Sequence, residues 1–154
     1  GKTGEGDEDF TLVNGTFKCE AAGLSFKVPS DWKAEEVLFV IAIAKDPTSQ
    51  KKQNGAAVMP ITDFLTGGKK VSFKDIYNNP TSFSKNLNVK DGVTFKKTKL
   101  GGKDAISYID TSDSSMTVKG YILDCIMPVL LYVECEKGSE KIADDIFNSV
   151  KYIH

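Results

Sequence analysis

Met116-Thr-Val-Lys-Gly-Tyr-Ile-Leu-Asp124-Cys-Ile-Met-Pro128-Val-Leu-Leu-Tyr-Val-Glu-Cys-Glu136 is the stretch that decides the fold. It is rich in β-branched and aromatic residues and reads as two strands folded back near Met127-Pro128. Apolar side chains occupy both alternating sets, which places this hairpin at the centre of a sheet with at least one face covered. A turn at Met127-Pro128 puts Asp124 opposite Leu131 and Glu134 opposite Tyr121, so the two carboxylates are expected on opposite faces. Gly138 and Ser139 follow, then a helix expected over 140–152, with Ile142, Ile146, Val150 and Ile153 recurring at helical spacing.

Working outward, Phe10–Val13 starts a short strand and Asn14-Gly15 is a turn signal. Residues 16–20 and 24–28 read as a hairpin around Ala21-Ala22-Gly23, with Leu24, Phe26 and Val28 facing inward and the lone Trp32 packed beneath the turn after Pro29. Residues 37–44 are apolar on both faces and are expected to form one interior strand. A polar loop over 46–55 leads to a strand over 56–64, which Pro60 marks as an edge or a bulged strand. Ser72-Phe73-Lys74-Asp75 resembles a capping box with Asp in place of Glu or Gln. Asn78-Asn79-Pro80 then interrupts the helix before a turn through Phe83 and Leu87. Strands over 93–99 and 105–110, joined by Gly101-Gly102, complete the set.

The chain has 154 residues, enough for one domain with its own core, expected over 10–154. Residues 1–9 (Gly-Lys-Thr-Gly-Glu-Gly-Asp-Glu-Asp) hold no large apolar side chain and read as a disordered acidic-glycine leader. Such a leader is what remains when an anchored, exported protein is cut behind its signal segment, so membrane association is expected only through an N-terminal anchor. Twenty basic residues stand against 21 acidic ones, and every basic residue is Lys. Without the guanidinium fork, and with lysines spread rather than striped, no nucleic-acid partner is assigned. No apolar run approaches the roughly 20 residues that a spanning helix needs.

The remaining chemistry is sparse. The only His is His154, at the chain end, a poor base for a nucleophile pair. Cys19, Cys125 and Cys135 lack metal-ligand spacing and read as small apolar side chains, with Cys125 and Cys135 too far apart along the hairpin to pair. Gly67-Gly68-Lys69-Lys70 lacks the spacing of a phosphate loop. Asp110-Thr-Ser-Asp-Ser-Ser115 offers oxygen ligands without a calcium-loop frame, so no metal and no cofactor are assigned. Asp124 and Glu134 are carboxylates in apolar strand sequence; Asp124 is the candidate if the protein is a hydrolase-type enzyme. The broken helix, with Phe73, Tyr77, Asn78, Asn79 and Phe83, is the expected binding surface, because loops on a rigid sheet commonly carry binding.

Several segments together resemble the Mog1/PsbP-like family: Gly23-Leu-Ser-Phe-Lys-Val-Pro-Ser-Asp-Trp32, Gly101-Gly-Lys-Asp-Ala105, Gly120-Tyr121, and Ile146-Phe-Asn-Ser-Val-Lys-Tyr152. The resemblance covers most of residues 16–153. It implies an α+β fold, an antiparallel sheet of about six or seven strands flanked by helices as an α/β/α sandwich. Relatives in that family include a binder of a small GTPase, an accessory subunit of photosystem II, and bacterial exported lipoproteins. What they share is accessory binding. The expectation is therefore a non-catalytic, extracytoplasmic binding or accessory domain of a lipoprotein, with a protein partner at the cell envelope. A carrier of a small apolar ligand, held between sheet and helices, is the alternative.

Overall fold

The structure is a computed structural model and describes residues 10–63 and 65–153. The expected leader 1–9, Phe64 and His154 lie outside the described residues. The described residues build two antiparallel sheets and two short helices, a sheet-rich α+β arrangement.

The small sheet is built from β1 (Phe10–Val13), β2 (Thr16–Cys19), β3 (Leu24–Lys27) and a two-residue strand at the C-terminus, β11 (Lys151–Tyr152), in the order β1-β2-β3-β11. Asn14 and Gly15 join β1 to β2 with φ of 51° and 79°. Both residue types tolerate the left-handed region that a two-residue hairpin requires. Alternation sends Phe10, Phe17 and Phe26 inward, where the Phe17 ring stacks on Phe10 at 5.8 Å and on Phe26 at 4.7 Å between centroids.

The large sheet contains β4 (Lys33–Val37), β5 (Val40–Ala44), β6 (Gly55–Pro60), β7 (Lys96–Leu100), β8 (Lys103–Asp110), β9 (Met116–Asp124) and β10 (Pro128–Glu136), in the order β4-β5-β6-β10-β9-β8-β7. The hairpin of β9 and β10 is indeed central. Its register differs from expectation: Asp124 stands opposite Pro128, Leu131 opposite Tyr121 and Glu134 opposite Val118. The turn is Cys125-Ile126-Met127, fixed by an Ile126 N–H bond to the Ala22 carbonyl at 2.9 Å. Pro128, with no N–H to give, takes the first place of β10 while its carbonyl accepts from Ile61 at 2.8 Å. Three residues of displacement is an odd number, so faces exchange. Asp124 and Glu134 therefore share one face rather than opposing ones.

Both faces of the large sheet are covered. One face presents Val129, Leu131, Val133 and Leu123 to the small sheet and to α2 (Lys141–Asn148). The other presents Leu130, Ile122, Ile106 and Met59 to α1 (Phe73–Asn78) and the chain that follows it. Each fully buried Leu, Ile or Val contributes on the order of 1.5–3 kcal/mol, and these two layers are the main stabilising term. Truncating Ile146, the buried centre of α2, to Ala would cost about 2–5 kcal/mol.

Four local expectations are corrected. Residues 37–44 are a hairpin, not one strand: β4 ends at Val37, and Val37 pairs with Val40 across Leu38-Phe39. Strand β6 stops at Pro60 and lies inside the sheet, so Pro60 marks a strand end rather than an edge. Strand β7 begins at Lys96, not at 93. Helix α2 ends at Asn148 because Ser149 intervenes: its hydroxyl accepts from the Lys27 N–H at 2.7 Å and donates to the Ile146 carbonyl at 2.6 Å. The chain then turns to pair β11 with β3 instead of continuing a helix to 152. The sandwich accordingly has few helices, and the small sheet does much of the covering expected of them.

Candidate functional site

The capping box at α1 forms as its sequence requires. The Ser72 hydroxyl accepts from the Asp75 N–H at 3.2 Å, and the Asp75 carboxylate accepts from the Ser72 N–H at 3.0 Å. Those bonds hold the Asp75 carboxyl below its usual range. Asn79 ends the helix, and a 3-10 turn over Pro80–Phe83 follows. Ile76 faces the core, while Phe73 and Tyr77 are half-buried one helical turn apart with ring centroids 5.5 Å from each other. Lys97 of β7 stands 4.8 Å over the Tyr77 ring. Asn78 and Asn79 are exposed, and Phe83 is half-buried against the same core layer. The five expected residues thus sit on one short segment, split between a packed aromatic pair and exposed amides.

Asp124 and Glu134 share a face but lie ten residues apart in sequence, at opposite ends of the hairpin. Six positions separate Asp124 from Val118, the partner of Glu134, which is about 20 Å along the strand. They are not brought together. The Asp110–Ser115 loop uses its carboxylates on its own donors. Asp110 accepts from the Ser112 N–H and hydroxyl at 2.9 and 2.6 Å, and Asp113 from the Ser115 N–H and hydroxyl at 2.7 and 2.9 Å. These bonds, with Lys52 at 2.8 Å from Asp113, hold both carboxyls low. Cys125 and Cys135 are free thiols. Cys125 lies in the turn and Cys135 opposite Thr117, about 26 Å along the strand, farther than the expected register implied. Burial pushes the Cys125 thiol up to about 12, against the partial relief given by Lys103, so it is protonated at neutral pH.

Register brings four chain reversals to one end of the large sheet. Val58 stands opposite both Ile41 and Leu131, Pro60 opposite Val129, and Pro128 opposite Asp124. The β4–β5 tip, the chain after Pro60, the Cys125–Met127 turn and the Gly101-Gly102 turn therefore gather there. Leu38 is 85% exposed, Phe39 54% and Ile126 51%. A cleft of about 280 Å³ opens between this tip and the small sheet, lined by Phe10, Leu38, Ile41 and Pro60. A wider one, of about 800 Å³, opens between the start of α1 and the β9–β10 turn, lined by Ile61, Phe73, Asp124 and Ile126. Thr62 and Met127 line both clefts and form the ridge between them. Of the expected binding residues only Phe73 borders this region; Tyr77, Asn78, Asn79 and Phe83 line neither cleft.

Leu38 is the residue that sequence reasoning missed. Its φ is 56°, in the left-handed region. Among the described residues the other non-glycine ones there are Asn14 and Asn88, a type that tolerates the conformation, whereas Leu pays a steric penalty in it. No turn signal marks Val37-Leu38-Phe39-Val40, and the only cue is the two glutamates before it.

No family model matches the chain, and no curated protein matches it. A similar solved structure is a crystal structure from Bacteroides thetaiotaomicron VPI-5482, with a TM-score of 0.48 at 15% identity over 84% of this chain and 45% of that one. The chain spans less than half the length of that structure.

Proposed function

We propose that this chain is a non-catalytic binding domain, an accessory unit that acts outside the cytoplasm and is held at a bacterial membrane on its N-terminal side. Its partner is a protein of the cell envelope, and the partner's apolar side chains seat on the Leu38–Ile126 end of the large sheet. Phe73 borders that surface, and the α1 segment with Tyr77, Asn78, Asn79 and Phe83 extends it along the neighbouring face. The arrangement of one seven-stranded antiparallel sheet with α1 on one face and α2 on the other is read as Mog1/PsbP-like.

What carries this reading is Leu38. Neither its backbone conformation nor its burial favours a leucine: Asn or Gly would relieve the backbone, and 85% of the side chain faces solvent. A strained residue that gains nothing within its own fold marks a contact outside it. Its neighbours Phe39 and Ile126 widen the exposed apolar area beyond a single side chain, as interaction sites require.

The test is a cross-linked capture from the native cell envelope, run in parallel with wild type and Leu38→Asn. One partner recovered in near-equal amount by wild type and lost by the folded variant supports the surface. Equal recovery by both variants overturns it.

A further inference from the structure

On the face of the large sheet that carries α1, register lays side chains out in rows. One row reads Ala42, Ala57, Tyr132, Gly120, Tyr108 across β5, β6, β10, β9 and β8. The next reads Ala44, Gly55, Glu134, Val118, Asp110. Two tyrosines and two carboxylates thus share these rows with small residues, and the Tyr108 ring fills the space over Gly120. A cleft of about 260 Å³, open to solvent on one side, is lined by Tyr132, Glu134, Val118, Tyr108 and Asp110 of these rows and by the apolar Val40, Met59, Leu87 and Val89.

Two polar groups on its wall reach the open cleft without a hydrogen bond to another described residue, since no described side-chain oxygen or nitrogen is buried without a partner. Tyr108 is 6% exposed, its ring held edge-on by Phe95 at 5.7 Å, and its hydroxyl makes no hydrogen bond to another described residue. The Glu134 side chain, half-buried on the central strand, makes no hydrogen bond or ion pair with another described residue. Other charges on the walls are engaged: Asp113 with Lys52 at 2.8 Å, Asp110 with Ser112, and Lys90 with the Ser112 hydroxyl at 3.0 Å. Three carboxylates against the Lys90 ammonium and the Lys52 ammonium paired with Asp113 leave the site net negative by one, and Glu134 is the carboxylate without a hydrogen bond or ion pair to another described residue.

The geometry points to a binding site for a small organic ammonium ion, its charge on the Glu134 carboxylate and its apolar groups against the half-buried Tyr132 ring. Aromatic faces attract cations, most of all where water is displaced. The apolar walls suit carbon rather than a hydrated metal ion, which would need a shell of oxygen ligands. The volume lies just under the roughly 300 Å³ at the lower end of small-molecule sites, so the ligand has few heavy atoms. Tyr108 then supplies a hydroxyl to a polar group on the ligand. This site is separate from the Leu38 end and stands whether or not a protein partner docks there.

The experiment is an NMR titration of ¹⁵N-labelled protein with choline and with 3,3-dimethylbutan-1-ol, which has the same shape and no charge. Saturable shifts at Gly120, Tyr132 and Glu134 are expected with choline, and about tenfold weaker binding with the alcohol. Glu134→Gln should weaken choline about tenfold and leave the alcohol unchanged. Equal binding of the two probes, no saturable shift with choline, or shifts confined to the Asp110–Ser115 loop would each overturn the site. The comparison of the two probes needs no variant, so it decides the matter even if Glu134→Gln fails to fold.

Discussion

The ring of Tyr108 lies across Gly120 so closely that a β-carbon on Gly120 would stand 2.3 Å from it. The two residues are direct partners between β8 and β9, and Tyr132 is the partner of Gly120 on the other side. Gly120 needs no special backbone angle here; it is present for space. Gly120→Ala forces the Tyr108 ring out of its place between Phe95 and the strand, an overpacking cost of about 1–3 kcal/mol. Urea unfolding of wild type and variant measures it, and a loss within experimental error would mean the ring yields freely.

That relationship also shows where the sequence stopped being legible. The central hairpin, the Asn14-Gly15 turn and the α1 capping box were all readable, because each rests on neighbours in sequence whose chemistry acts locally. The rows over Gly120 were not, because they depend on register across five strands. The expected turn at Met127-Pro128 fell just past the observed one centred on Ile126, which shifts the strand pairing by three residues, and that alone sent Asp124 and Glu134 to different faces on paper. The Leu38 hairpin was hidden for a different reason. Apolar residues on both sides of Val37–Ala44 imitate a buried strand, and nothing at Leu38-Phe39 announces a turn. In the same way, the spacing of Ile146, Val150 and Ile153 imitates a longer helix, while the Ser149 hydroxyl that ends it acts through Lys27, 122 positions away.

Leu38→Asn is expected to stabilise the isolated protein. Relief of the left-handed strain is worth about 1 kcal/mol, and an 85% exposed side chain returns little apolar burial against it. Thermal unfolding should rise by about 2–4 °C. A fall in Tm would show that Leu38 packs usefully within its own chain, and the reason for assigning it to a partner would disappear.

Glu134 should set a pH dependence of its own. Burial, then the nearby Asp113 charge, raise its carboxyl above the ordinary 4.5, with Lys52 opposing. The folded state therefore holds that proton more tightly than the unfolded chain. Its contribution is fully present below pH 4.5 and is lost as pH rises through the folded value. Asp113 and Asp110 act in the opposite sense: their stabilisation is present above the ordinary 3.8 and is lost as pH falls. Glu134→Gln should accordingly gain stability relative to wild type above pH 4.5 and gain none well below it. Chemical denaturation across that range reads the difference, and a variant offset that does not change with pH would contradict the burial argument.

The aromatic pair on α1 separates a surface role from a core role. Phe73 and Tyr77 are each half-buried, and Tyr77 also carries Lys97 over its ring. Replacing one of them with Ser should cost about 1–2 kcal/mol, half or so of a full aromatic burial with a small cation–π share at Tyr77. A domain of this size and ordinary stability survives that loss. Phe73→Ser and Tyr77→Ser are therefore expected to keep a native circular dichroism spectrum while weakening partner capture, Phe73→Ser the more strongly because it borders the cleft that reaches Ile126. If either variant unfolds at room temperature, the pair belongs to the core beneath α1. The docking surface would then contract to the Leu38–Ile126 end of the sheet.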